Sequence, residues 1–228
     1  MPRALSHPWN LSLAEAARLQ DELAARVRSE PLPHPPRTVA GIDVSFPNRD
    51  TARAAVIVLS FPDLSPITQA TADHPAEFPY VPGFLSFREA PAILAALDRL
   101  SLWPDLLICD AHGRAHPRRL GLAAHLGVLL DHPTIGCAKS KLYGEYAEPA
   151  AQRGAYSWLY AGAEIIGAAV RTQERTRPVF VSIGHRVDLS GAIELVLACT
   201  TRYRLPEPTR LAHLAAAASP PLGQLPLF

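Results

Sequence analysis

The chain of 228 residues has only two lysines, Lys139 and Lys141, among its 22 basic side chains. Its three cysteines, Cys109, Cys137 and Cys199, are too scattered for a disulfide framework or a C-x-x-C pair. No apolar run approaches the ~20 residues that a membrane-spanning helix needs. The first residues, MPRALSHPWN, lack the charged-then-apolar order of a secretory leader. These absences argue against a disulfide-stapled secreted scaffold and against a membrane partner, and the expectation is a cytoplasmic monomer. The net charge is only +1, so total charge does not announce a polyanionic partner.

What is present is enough apolar material for a core: 48% of residues are hydrophobic, which supports one domain. Residues 1–214 are expected to form it, with 215–228 as a flexible tail. Local charge is less even than the total. From His112 to Lys141 stand Arg114, Arg118, Arg119, Lys139 and Lys141 against one acid, Asp131, together with four of the nine histidines. Such a segment suits a polyanion, although charge clusters are commonly solvated surface. That both lysines fall in AKSKLYG is notable, because a compact ammonium and a planar guanidinium are not equivalent at a phosphate.

Ser12 to Val27 has helical periodicity, and Ser12 with Glu15 makes a capping box. The proline-rich PLPHPP ends it. Three strand-like runs follow, Thr38–Phe46, Ala54–Phe61 and Pro66–Ala72, with connectors short enough for an antiparallel meander. After the loop HPAEFPYVPGFL comes a helix from Ser86 to about Leu100. The pattern then becomes strand (Leu106–Asp110), helix (Arg119–Leu130) and strand (Thr134–Cys137). A strand pair (Tyr156–Tyr160, Glu164–Arg171), a strand (Val179–Ile183) and a helix opened by Ser190 complete it. Right-handed crossovers set the fourth strand parallel to and beside the first. The expected fold class is α/β: a ribonuclease H-like mixed five-stranded sheet of order 3-2-1-4-5, flanked by helices.

In that topology two acids meet. Asp43 lies in the otherwise apolar VAGIDVSF, and Asp110 ends the fourth strand. Adjacent strands lie ~5 Å apart, so the two carboxylates repel unless a cation is shared between them. All-oxygen ligation suits Mg²⁺, with Mn²⁺ able to substitute. Either acid alone reads as an ordinary strand-end residue; the pair in this topology favours a metal. Glu89 has two readings of equal weight: a capping partner for Ser86 in SFRE, or a third carboxylate for the site. His112 and His116 have H-x3-H spacing, but Gly113 and Pro117 disfavour a helix there, so zinc is the lesser reading. Phosphate binding is the better one, with Arg118 and Arg119 at a helix start. In PYVPG, two prolines stiffen a loop around Tyr80, and a rigidly held ring can wedge into a base stack beside an extruded base. A packed loop is the bland alternative.

The stretches VAGIDVSF, FPYVPGFLSFRE, LLICDAHGRAHPRRLGLAAHLGV, GCAKSKLYG, VSIGHRVDL and LPEPTRLAH resemble the endonuclease V family, from about Val39 to His213. The resemblance implies Mg²⁺-dependent hydrolysis of the second phosphodiester bond 3′ to a deoxyinosine in DNA, leaving 3′-hydroxyl and 5′-phosphate ends. It implies Asp43, Asp110 and Glu89 as the acidic metal site, His213 near the metal and Lys139 near the scissile phosphate. It assigns DNA contacts to Pro79, Tyr80, Val81, Pro82, Gly83 and Leu85, and to Ala111, His112, Gly113, His116, Arg118 and Arg119. One departure stands out: Ala111 occupies a position where the family usually has glycine, and a methyl group there can obstruct a close backbone approach.

After Leu214, AAAASPPLG reads as a linker. The last residues, Gln224, Leu225, Pro226, Leu227 and Phe228, resemble a bacterial sliding-clamp-binding peptide, with Pro226 as a departure; a tail packing on its own domain is the alternative. Two rival functions are an inosine-directed ribonuclease acting on RNA and a noncatalytic nucleic-acid-binding protein. The intact acidic set argues against the second.

Overall fold

The computed structural model describes residues 4–218. β1 (Thr38–Asn48), β2 (Thr51–Ser60) and β3 (Pro66–Pro75) form the antiparallel meander, and β4 (Leu106–Cys109) lies parallel to β1. β5 (Thr134–Ala138) pairs parallel to β4. The order of these five strands is the expected 3-2-1-4-5. The sheet, however, has eight strands: β8 (Val179–His185) pairs antiparallel to β5, and β7 (Glu164–Val170) and β6 (Tyr156–Ala161) extend it to the far edge. β8 is buried along nearly its whole length, which suits an interior strand rather than an edge.

The sheet is covered on both sides because its strands are apolar on both. Val39, Ile57, Leu106, Ile108 and Val181 face one cluster, which α4 (Leu189–Ala198) and α5 (Glu207–Ala217) close with Ile193, Val196 and Ala212. Ala40, Ile42, Val56, Val58 and Leu107 face the other, closed by α2 (Leu85–Leu97) and α3 (Leu122–Leu130) with Ile93, Leu97 and Leu126. Outside α3, α1 (Leu13–Ala24) packs through Leu23. Its Ser12–Glu15 capping box is formed as the sequence indicates.

Three boundaries differ from expectation. α3 starts at Leu122 rather than Arg119, because Arg119 has φ of +58° and lies outside helical geometry. α4 is capped by Asp188, which accepts from the Gly191 N–H, rather than opened by Ser190. α5 runs to Ala217, so the start of the expected tail is helical, with Ala215 and Ala216 buried in the core. The possible clamp-binding residues Gln224, Leu225, Leu227 and Phe228 lie outside the described residues.

One glycine fixes the position of α5. A Cβ at Gly41 would stand 1.9 Å from the carbonyl carbon of Pro208, at the start of that helix. Glycine on β1 therefore lets α5 lie directly against the strand that carries Asp43 two residues later, on the same face.

Candidate active site

Ile42 pairs with Cys109, and the Asp110 N–H donates to the Ile42 carbonyl at 3.0 Å. Asp43, within β1, and Asp110, just past the end of β4, are thus the residues that follow the last pair of the parallel β1–β4 ladder. Glu89 reaches the same place from α2 on the opposite face, one turn into the helix. The three line a cavity of about 540 Å³, together with Tyr80, Gly83, Leu85, His112, His116, Lys139 and His213. Pro82, Val81 and Ala111 also line it, whereas Pro79, Gly113, Arg118 and Arg119 do not. The volume is within the usual range for ligand pockets.

Three acidic side chains meet on this floor, and their surroundings shift two of them. Burial, followed by the charges of Asp43 and Asp110, pushes the Glu89 carboxyl up to about 8. Burial also raises the Asp110 carboxyl, against the opposing effect of Lys139. Lys139, just past the end of β5, makes an ion contact with Asp110 Oδ2, which otherwise has no directed hydrogen bond. From α5, His213 Nδ1 lies 2.7 Å from Asp43 Oδ2. Two cationic or proton-bearing groups thus already sit on two of the three carboxylates. Among the described residues no three carboxylate, imidazole or thiolate groups are closed into a coordination shell. The donor set of three carboxylates, one of them raised by burial and then by the charges of the other two, fits a hard divalent ion that would relieve that repulsion.

The structure corrects the capping reading of Glu89. α2 starts at Leu85 with Phe84 as N-cap and no side-chain cap, and the Ser86 hydroxyl bonds His125 Nδ1 at 3.0 Å instead. Glu89 is buried in the cavity floor rather than folded back on the helix start.

The histidines and arginines separate by role. His116 uses both ring nitrogens internally: Nδ1 accepts from the Arg118 N–H at 3.1 Å, so Nε2 carries the proton and donates to the Gly83 carbonyl at 3.0 Å. That leaves no free nitrogen for a zinc pair with His112. Burial holds His112 and His116 neutral, with values lowered to about 4. Arg119 is not at a helix start, as the sequence had indicated. Its guanidinium pairs with Glu164, 2.8 Å away, and lies over the Tyr143 ring. Arg118 lies over the Phe84 ring at 4.9 Å and reaches Gln20. Both arginines therefore brace the loop, and the basic groups lining the cavity are Lys139 and Lys141.

Tyr80 is 74% exposed at the cavity rim, held between Pro79 and Pro82. The next turn has Gly83 at φ of +84°, a conformation that favours glycine. Ala111 does not share that requirement, since its φ is not positive, and its methyl packs on the apolar cluster beneath α2 and α3. Ala111→Gly is accordingly expected to change inosine nicking less than about three-fold, measured as kcat/KM on one duplex. A larger gain would show that the methyl does obstruct the pocket.

Sequence reasoning did not place Ser86 and Ser140 in the cavity lining, nor Gln20 behind it against the Gly83 carbonyl. Gln20 had a readable signal: a polar residue on the apolar stripe of α1, four residues after Ala16 and three before Leu23.

A mixed sheet of this order, with acids on its adjacent parallel strands and a third from a flanking helix, is the ribonuclease H-like arrangement. The endonuclease V family model matches residues 21–214. Endonuclease V of Roseiflexus sp. (strain RS-1) is 54% identical over 217 residues, covering 95% of this chain and 97% of that protein. The crystal structure of endonuclease V from Streptomyces avermitilis matches with a TM-score of 0.88 at 49% identity, over 93% of this chain and 94% of that one. Endonuclease V of Ciona intestinalis, in complex with a 24mer DNA containing an inosine followed by a ribo-adenosine, matches with a TM-score of 0.76 at 28% identity, over 90% and 95%. The chain belongs to the endonuclease V family, metal-dependent nucleases of DNA repair.

Proposed function

We propose that this protein is a Mg²⁺-dependent endonuclease that recognises deoxyinosine in DNA. It hydrolyses the second phosphodiester bond 3′ to that base, leaving 3′-hydroxyl and 5′-phosphate ends. The observation that carries the reading is the cavity itself: three convergent carboxylates on its floor and an exposed, proline-braced tyrosine on its rim. Asp43, Asp110 and Glu89 would hold the ion, and Mn²⁺ has the chemistry to replace Mg²⁺ there. Bound there, the metal would supply Lewis acidity at the phosphate and a water of lowered pKa.

The chain's own groups do the rest. His213 orients the Asp43 carboxylate through its hydrogen bond. Lys139, close to Asp110, presents an ammonium to the scissile phosphate. Tyr80 fills the gap in the stack left by an extruded base, and the cavity behind it receives that base, bounded by Gly83, Leu85, Ala111, His112 and His116. Sequence preference is slight, because one flipped base and backbone contacts carry recognition. The protein acts as a cytoplasmic monomer on this reading.

A substrate panel tests it. Matched duplexes carrying one inosine, uracil, xanthine or a mismatch are expected to be nicked best at inosine, and the DNA strand in preference to an RNA strand of the same sequence. Preference for the RNA strand would favour the ribonuclease alternative. No cleavage of any strand would favour a binding protein.

We also propose that Gln224, Leu225, Leu227 and Phe228 bind the bacterial sliding clamp. Deleting residues 224–228 is expected to abolish clamp binding while leaving nicking of short duplexes unchanged. Equal clamp affinity before and after truncation would end this idea.

A further inference from the structure

Gln20 sits on the buried stripe of α1, with Ala16 and Leu23, and is fully enclosed. A buried carboxamide is tolerated only where its donors and acceptor find partners. Its Nε2 donates to the Gly83 carbonyl at 2.8 Å and lies 3.4 Å from the Leu120 carbonyl. Its Oε1 receives Arg118 at 3.4 Å. Gly83 and Leu120 come from separate segments, and both line the cavity, whereas no residue of α1 does. The Gly83 carbonyl takes its second bond from His116 Nε2, a residue of the cavity lining, so of its two partners only Gln20 lies behind the wall. At φ of +84° and with no side chain, Gly83 has no anchor of its own.

We propose that Gln20 is a positioning residue for inosine recognition. From behind the cavity wall it ties the segment carrying Tyr80 to the segment carrying Leu120, and so fixes the gap into which the extruded base is received. This rests on reading the cavity as the inosine site. The three carboxylates are anchored independently of Gln20, two by strand pairing and one by α2. Loosening the wall therefore weakens base seating and discrimination while leaving the acidic floor intact.

The test uses the full chain with Mg²⁺ and two near-isosteric variants. Q20M keeps the length without donors or acceptor. Q20E keeps the acceptor facing Arg118 but sets carboxylate oxygens against the Gly83 and Leu120 carbonyls. In both, KM for the inosine duplex is expected to rise roughly ten-fold or more with kcat within about three-fold of wild type. Selectivity for inosine over uracil duplexes should fall, and the Mg²⁺-induced shift in Tm should stay as in wild type. Wild-type KM in either variant overturns the proposal. A loss in kcat accompanied by a smaller Mg²⁺ shift also overturns it, since that is general loosening of the site. If both variants unfold, hydrogen exchange on the wild type decides: amides of 79–85 and 116–122 are expected to open together with α1, and independent opening of 79–85 contradicts the tie. A wild type that nicks uracil and inosine duplexes alike overturns the reading of the cavity itself, which separates that failure from a failure of Gln20.

Discussion

Replacing Asp110 by Asn is expected to lower nicking of an inosine duplex by about a thousand-fold or more, with Mg²⁺ at saturation. The substitution keeps the shape of the side chain at the end of β4 and removes the charge that pairs with Lys139 and would, on the proposed function, hold the metal. Losing roughly 4 kcal/mol of transition-state stabilisation corresponds to that factor. Affinity for the uncut duplex should hold or improve, because one negative charge is gone from a surface that meets phosphate. Single-turnover cleavage and equilibrium binding on the same variant separate the two effects. Activity within ten-fold of wild type would remove Asp110 from the chemistry.

Acid is expected to unfold the protein well above the pH at which carboxylates titrate. Burial lowers His112, His116 and His132 to about 4 and His125 to about 3, from an ordinary value near 6.5. Because these values are depressed, the unfolded chain binds more protons between pH 6.5 and about 4. The stability is fully present above pH 6.5 and is lost as the pH falls through that window. At pH 5 each histidine costs roughly 2 kcal/mol relative to neutral pH. Glu89 opposes them in the metal-free protein: its raised carboxyl keeps its proton up to about 8, so it contributes about 2 kcal/mol in the other direction over the same fall. The net loss from pH 7 to pH 5 is on the order of 5 kcal/mol. Urea unfolding at the two values, without metal, measures it. Equal midpoints would mean that the four imidazoles accept protons in place.

Much of the centre was legible in the sequence because it follows from local pattern and chirality. The short connectors force β1–β3 into a meander, and the right-handed crossover through α2 places β4 beside β1. From that single adjacency Asp43 meets Asp110. What the sequence hid depended on distant or irregular backbone. β8 joins β5 from more than forty residues away, so three strands that read as a separate pair and a single run extend one sheet. Ser86 and Glu89 have capping-box spacing, but the helix starts one residue before Ser86, and the serine turns to His125 instead. Arg119 reads as the first residue of a basic helix start, yet its left-handed φ breaks the helix and aims it at Glu164. Arg118 and Arg119 stand outside the cavity lining and contact Gln20, Glu164 and two rings, and the scarce lysines are the ones that line the cavity. Ala111, conspicuous against the family pattern, has no positive φ; it lines the cavity and packs on the core cluster behind it.

Mapping the cut at single-nucleotide resolution, on a DNA duplex with one deoxyinosine and with Mg²⁺ or EDTA added, tests the central claim most directly. The account predicts one nick at the second phosphodiester bond 3′ to the inosine, with 3′-hydroxyl and 5′-phosphate ends, and none in EDTA. Cleavage that persists in EDTA, or that falls at positions unrelated to the inosine, would contradict it.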